Sequence, residues 1–168
     1  MGVQLIFTVE TNKKCNSDWI YIKDTVEHFY AYERTQLKLS VVYLDGKGNY
    51  SSKKKQKEID SLISQYRATS KANQSKVICC FDCDDYDSKQ EDRKFLEDAE
   101  KFCKDVEQVY IGKRVAAMQK RKEAAKFAEK KQINTVAPEN LTAVKYRVNR
   151  SNIMKVLDSC PELIRKNS

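Results

Sequence analysis

Apolar residues along this chain follow two rhythms. Short β-rich stretches occur at Val3 to Val9 and Leu37 to Leu44, and a continuous apolar run at Val77 to Phe81. Runs of this length and character predict strands, and the last of them reads as a strand buried on both faces, as in a parallel sheet. Between the runs the spacing becomes helical: Trp19, Ile22, Val26 and Phe29 share one face, as do Ile59, Leu62, Ile63 and Tyr66. Phe95, Ala99, Phe102 and Val106 form a third such stripe. Ser17 or Asp18 suits the cap of the first helix, the second is expected from about Ser52, and Asp87 or Ser88 suits the cap of the third. Asp45-Gly46-Lys47-Gly48-Asn49 is turn chemistry closing the second strand. It lacks the longer glycine pattern and the Lys-Ser/Thr ending of a phosphate loop. Val109-Tyr110-Ile111 reads as a short fourth strand ending at Gly112-Lys113.

Strands alternating with helices predict an α/β fold, a mostly parallel four-stranded Rossmann-like sheet flanked by helices with right-handed crossovers. Residues 1–113 are expected to form this core. Residues 114–168 are expected as a basic helical extension packed on it, within a single domain. That extension opens with a long helix from about Arg114 to Lys131 and continues through a linker containing Pro138. A strand-like run from Leu141 to Val148 and a last helix through Leu157 complete it. A chain of 168 residues is large enough for one core of this kind.

The strand ends carry the chemistry. Glu10 closes the first strand, and Asp82, Asp84, Asp85 and Asp87 follow the third. Ligands of open α/β sheets bind outside the carboxyl ends of the strands, at the point where strand order reverses. Asp82 and Asp84 are spaced to point the same way on an extended backbone. Two such carboxylates repel unless a cation or a shared proton intervenes, and a hard ion such as Mg²⁺ (or Mn²⁺) suits them. If the first and third strands are neighbours, Glu10 faces this pair and completes a three-carboxylate site. Asp82, Asp84, Asp85 and Glu10 are therefore the candidate metal ligands. A turn whose carboxylates cap the next helix is the plainer alternative, although capping needs fewer acids.

Charge is unevenly spread. Residues 1–112 hold 18 Lys/Arg against 19 Asp/Glu, a net −1, whereas residues 113–168 hold 14 against 5, a net +9. A basic third on a near-neutral body suggests a polyanionic partner, nucleic acid before a membrane surface. Arg114, Lys120, Arg121 and Lys126 on the long helix, with Lys145, Arg147 and Arg150 around Tyr146, are the candidate nucleic-acid contacts. Lysine and arginine would neutralise phosphates, and Tyr146 would stack on a base. Lys113 and Arg114 stand at the end of the fourth strand, on the carboxylates' edge. Lys113 is the candidate catalytic cation against transition-state phosphate charge. A solvated helix face is the competing reading of the same lysines.

Other chemistries find little support. Six cysteines include Cys80-x-x-Cys83, which has zinc-ligand spacing, but no second pair follows and His28 is the sole histidine. Reduced thiols, packed as small hydrophobes, are expected at Cys79 and Cys80. With one histidine on the flank of an apolar helix face, no Ser-His-Asp or Cys-His arrangement is available. No run reaches membrane-span length, and Met1 leads almost directly into a strand, so a cytoplasmic protein is expected.

Phe7-Thr-Val-Glu10 together with Cys80-Phe-Asp82-Cys-Asp84-Asp85 resembles the TOPRIM fold, which has a Glu at the end of its first strand and Asp-x-Asp at the end of its third. The Phe-Asp-x-Asp-Asp run is similar to that of small bacterial RloB-like proteins, and the resemblance spans roughly residues 3–113. Thr11 stands where the family's Glu is often followed by Gly. The resemblance implies Mg²⁺-dependent phosphoryl transfer on DNA or RNA, with Asp82 and Asp84 holding metal and Glu10 as ligand or general base. No tyrosine stands out as a topoisomerase-like nucleophile, so a nuclease using metal-activated water is the expected enzyme. Two alternatives stand beside it: a non-catalytic nucleic-acid-binding or interaction module, and a receiver-like regulator that accepts a phosphoryl group. A partner protein could supply further substrate contacts.

Overall fold

A computed structural model describes residues 2–14, 16–80, 90–105, 109–111 and 157–166. Three strands of seven residues lie side by side in parallel: β1 (Val3–Val9), β3 (Leu37–Tyr43) and β4 (Gln74–Cys80). They are joined through α1 (Ser17–Phe29), a two-residue strand β2 (Tyr30–Ala31) and α2 (Lys53–Thr69). Then follow α3 (Gln90–Asp105), the short β5 (Val109–Ile111) and, near the end of the chain, β6 (Ile164–Arg165). β1 is central, with Val3 level with both Leu37 and Gln74, and Thr8 level with Val42 and Cys79. β5 runs parallel along β4, Ile78 opposite Val109. The order is thus β3-β1-β4-β5, which reverses direction at β1.

Burial explains why these runs are strands. Leu5, Ile6, Phe7 and Val9 in β1 and Val77, Ile78, Cys79 and Cys80 in β4 are all buried, the two-sided burial that continuous apolar runs require. β4 begins earlier than its apolar run suggests, because Gln74 and Ser75 extend the ladder beside Val3 and Gln4. Gln4 is fully buried yet satisfied: its amide donates to the Ser40 hydroxyl at 2.9 Å and its carbonyl oxygen accepts from the Ser75 hydroxyl at 3.0 Å. One side chain thereby links all three long strands across a single face.

Right-handed crossovers place α1 on one face of the sheet and α2 with α3 on the other. On the first face Trp19 stacks against Phe7, ring centroids 5.8 Å apart, and Ile22 and Val26 are buried. On the second, Ile59 and Ala99 are buried, and the Tyr50 ring meets Phe95 and Phe102 edge-on at 5.6 and 5.3 Å. α1 starts after Asn16, whose side chain makes no capping bond, rather than at a Ser17 or Asp18 cap. Ser52 does cap α2, accepting from the Lys55 amide at 3.2 Å.

Residues 157–166 return to the α1 side of the core, where Leu157, Cys160 and Leu163 are buried. β6 pairs antiparallel with β2. Asp158 anchors this return, receiving the Tyr30 hydroxyl at 2.7 Å and two Arg165 guanidinium bonds at 2.8 and 2.7 Å. Among the described residues, no helix is long and apolar enough to cross a membrane.

Candidate functional site

Strand order reverses between β1 and β4, so α1 leaves the end of β1 over one face while α3 lies on the other. A crevice forms at such a switch point, outside the carboxyl ends of the two strands. Glu10 is the first residue past β1 and lies at this position, only 6% exposed. A carboxylate that deep is unusual for a strand-end loop residue, since removing it from water is costly without compensation.

The turn after β3 holds the Glu10 backbone. Leu44 N–H donates to the Val9 carbonyl at 2.8 Å and Gly46 N–H to the Glu10 carbonyl at 2.9 Å. Asp45 N–H reaches the Thr11 carbonyl at 3.4 Å, and the Asn12 amide reaches the Asp45 carboxylate at 3.3 Å. These bonds require Asp45 and Gly46 to adopt φ of +52° and +121°, consistent with the turn read from Asp45-Gly46. Thr11 is 5% exposed, and its hydroxyl, like that of Thr8, is buried without a hydrogen bond among the described residues.

Across the crevice stands Cys80, the last described residue of β4. Burial pushes its thiol well above the ordinary value, and the charges of Cys79, Asp18 and Glu10 push in the same direction. Glu10 and Asp18 therefore both lie within electrostatic reach of the end of β4. Asp18, a capping candidate by sequence, is in the first turn of α1, and that place at the start of the helix leaving β1 is the signal that brings it to this edge. Cys79, Cys80 and Cys160 are buried and form no disulfide among the described residues.

Of the residues singled out from sequence, Glu10 is within the described structure. Asp82, Asp84, Asp85, Asp87, Lys113, Arg114, Lys120, Arg121, Lys126, Lys145, Tyr146, Arg147 and Arg150 lie outside the described residues. Among the described residues, no group of three or more His, Cys, Asp or Glu gathers as a metal site. His28 is exposed at the end of α1, edge-on to Phe29 at 4.5 Å, away from the crevice. No protein-family model matches the chain, and no curated protein or solved structure matches it either.

Proposed function

We propose that this chain is a Mg²⁺-dependent enzyme of nucleic-acid phosphoryl transfer, a nuclease, working at the crevice between β1 and β4. The observation behind the reading is the burial of Glu10 at the switch point, beside the strand whose sequence runs on from Cys80 into Phe81-Asp82-Cys83-Asp84-Asp85. The donors of such a site would be carboxylate oxygens, which fit Mg²⁺ or Mn²⁺ and not a soft metal. Glu10 would be ligand or general base, with Asp82, Asp84 and Asp85 as ligands. The cation supplies charge neutralisation and an acidic water. Lys113 would contact the developing phosphate charge.

In this proposal the sheet, counted with β5, is the four-stranded framework of a TOPRIM-like protein of the RloB-like type, and residues 114–168 are its basic extension. The element order and the positions of Glu10 and Asp82-Cys83-Asp84 in it support that assignment. DNA or RNA is the substrate class, and Arg114, Lys120, Arg121, Lys126, Lys145, Tyr146, Arg147 and Arg150 are contacts on its strand.

The test is cleavage of fluorescent single-stranded and duplex DNA and RNA with Mg²⁺ or Mn²⁺. Metal-dependent cleavage is expected, with a loss of about a hundredfold or more in Glu10→Gln and Asp82→Asn, the scale on which single catalytic groups act. Binding of every substrate without turnover would replace the nuclease by the non-catalytic module.

A further inference from the structure

The carboxyl edge of the sheet holds a second charged feature. The first turn of α2 is Lys53-Lys54-Lys55, with Lys57 following, and contains no acidic residue. Helix N-termini carry partial positive charge and favour acids, so lysines there raise the local potential instead of offsetting it. Lys55 pairs with Glu58 at 3.4 Å, while Lys53, Lys54 and Lys57 are exposed. Lys13 and Lys14, also exposed, follow Glu10 in the loop that leads to α1. The bonds from Gly46 and Asp45 to Glu10 and Thr11 tie that loop to the turn leading into α2. Five exposed cations therefore lie at the carboxyl edge of the sheet, two in the loop after Glu10 and three at the start of α2.

We infer that Lys13, Lys14, Lys53, Lys54 and Lys57 form a track for the phosphodiester backbone of a nucleic acid, leading it across the crevice. The inference rests on the proposed nucleic-acid substrate and adds where the strand is held, within the part of the chain whose net charge is −1. Charge complementarity selects the occupant. Spaced cations on a loop and a helix start match a polymer of regularly spaced phosphates, and no aromatic or apolar residue need be inserted. Recognition by these residues is accordingly independent of base sequence.

The experiment measures fluorescence anisotropy of a labelled oligonucleotide with the full chain in EDTA across a range of KCl. Without divalent metal there is no turnover, so the readout reports binding alone. The Lys53→Gln/Lys54→Gln/Lys57→Gln variant should lose about tenfold or more in affinity and flatten the log–log salt slope by about 2.4, at ~0.7–0.9 per phosphate contact. Lys13→Gln/Lys14→Gln should flatten it by about 1.5 on the same scale, and Arg at all five positions should restore both values. Arg67→Gln/Lys71→Gln, with Arg67 near the other end of α2, ~15–20 Å away by helix rise, and Lys71 just beyond it, should change neither. Unchanged affinity and slope in the edge variants would overturn the inference, as would equal losses in the Arg67/Lys71 control. Binding to phosphatidylserine vesicles but to no oligonucleotide would overturn it too. Tight, salt-dependent binding without cleavage would count against the nuclease reading while leaving the track in place.

Discussion

The Gly46 amide donates to the Glu10 carbonyl across 2.9 Å, so the turn after β3 positions the residue on which the proposed site depends. Gly46 holds φ at +121°, where side-chain-bearing residues are rarely found. A methyl group there would meet Asn49 Nδ2 at 3.6 Å, an ordinary contact, so the cost of Gly46→Ala is backbone strain. That strain is about 1–3 kcal/mol. Thermal melting followed by fluorescence of Trp19, the chain's single tryptophan, should show the loss. Cleavage at temperatures where the variant is fully folded should also fall, because Glu10 moves with its carbonyl.

The Gln4 bridge makes a separate prediction. Gln4→Ala removes the partner of both Ser40 and Ser75 and opens a gap in a fully buried site. Urea denaturation should show a loss of about 2–4 kcal/mol. Gln4→Leu fills the gap and leaves the two hydroxyls unpaired, so its loss should be smaller.

Stability should depend on pH at both ends of the range. Burial, and then the hydrogen bond to Glu27, pushes the Tyr32 phenol up from 10.0 to about 12. Burial and Asp158 raise Tyr30 in the same direction. Folding thus favours the protonated phenols. The Tyr32 contribution is complete below pH 10 and is lost as the pH rises through about 12, and that of Tyr30 persists to higher pH. At the acid end, the Arg165 hydrogen bonds hold Asp158 below its ordinary 3.8. Here folding favours the carboxylate, so its contribution is present above that value and disappears as the pH falls below it. Urea melts across pH should show a shallower acid limb in Asp158→Asn and a shallower alkaline limb in Tyr32→Phe.

Lysines in the first turn of α2 oppose the helix dipole. Lys53→Glu and Lys54→Glu should each raise stability by about 0.3–1 kcal/mol at low salt, an effect that shrinks as salt is added. A rise in melting temperature accompanied by weaker oligonucleotide binding would show that these positions are kept for charge and not for folding.

Much of the sheet was legible because strands buried on both faces are mostly apolar, as Leu5, Ile6, Phe7 and Val9 and Val77 to Cys80 display. The start of β4 was not, since Gln74 and Ser75 enter the ladder through backbone pairing and the Gln4 bridge, neither of which leaves an apolar signature. β2 and β6 escaped for a related reason: two residues show no periodicity, and their pairing joins positions 30–31 to 164–165. Glu10 was legible as a strand-end acid, but its burial belongs to the folded switch point, where the turn after β3 holds its backbone from far along the chain. The lysines of α2 were hidden by averaging. Their charge cancels against distant acids in the count for residues 1–112, whereas the fold gathers them at one edge.

The most direct test of the account is Mn²⁺ binding by the native chain, read by electron paramagnetic resonance of free ion, beside Glu10→Gln, Asp82→Asn and the double variant. A shared ion predicts that each single change weakens binding at least tenfold and that the double change adds much less than the product of the two. Native affinity in Glu10→Gln, with binding lost in Asp82→Asn, would contradict a site joining the ends of β1 and β4.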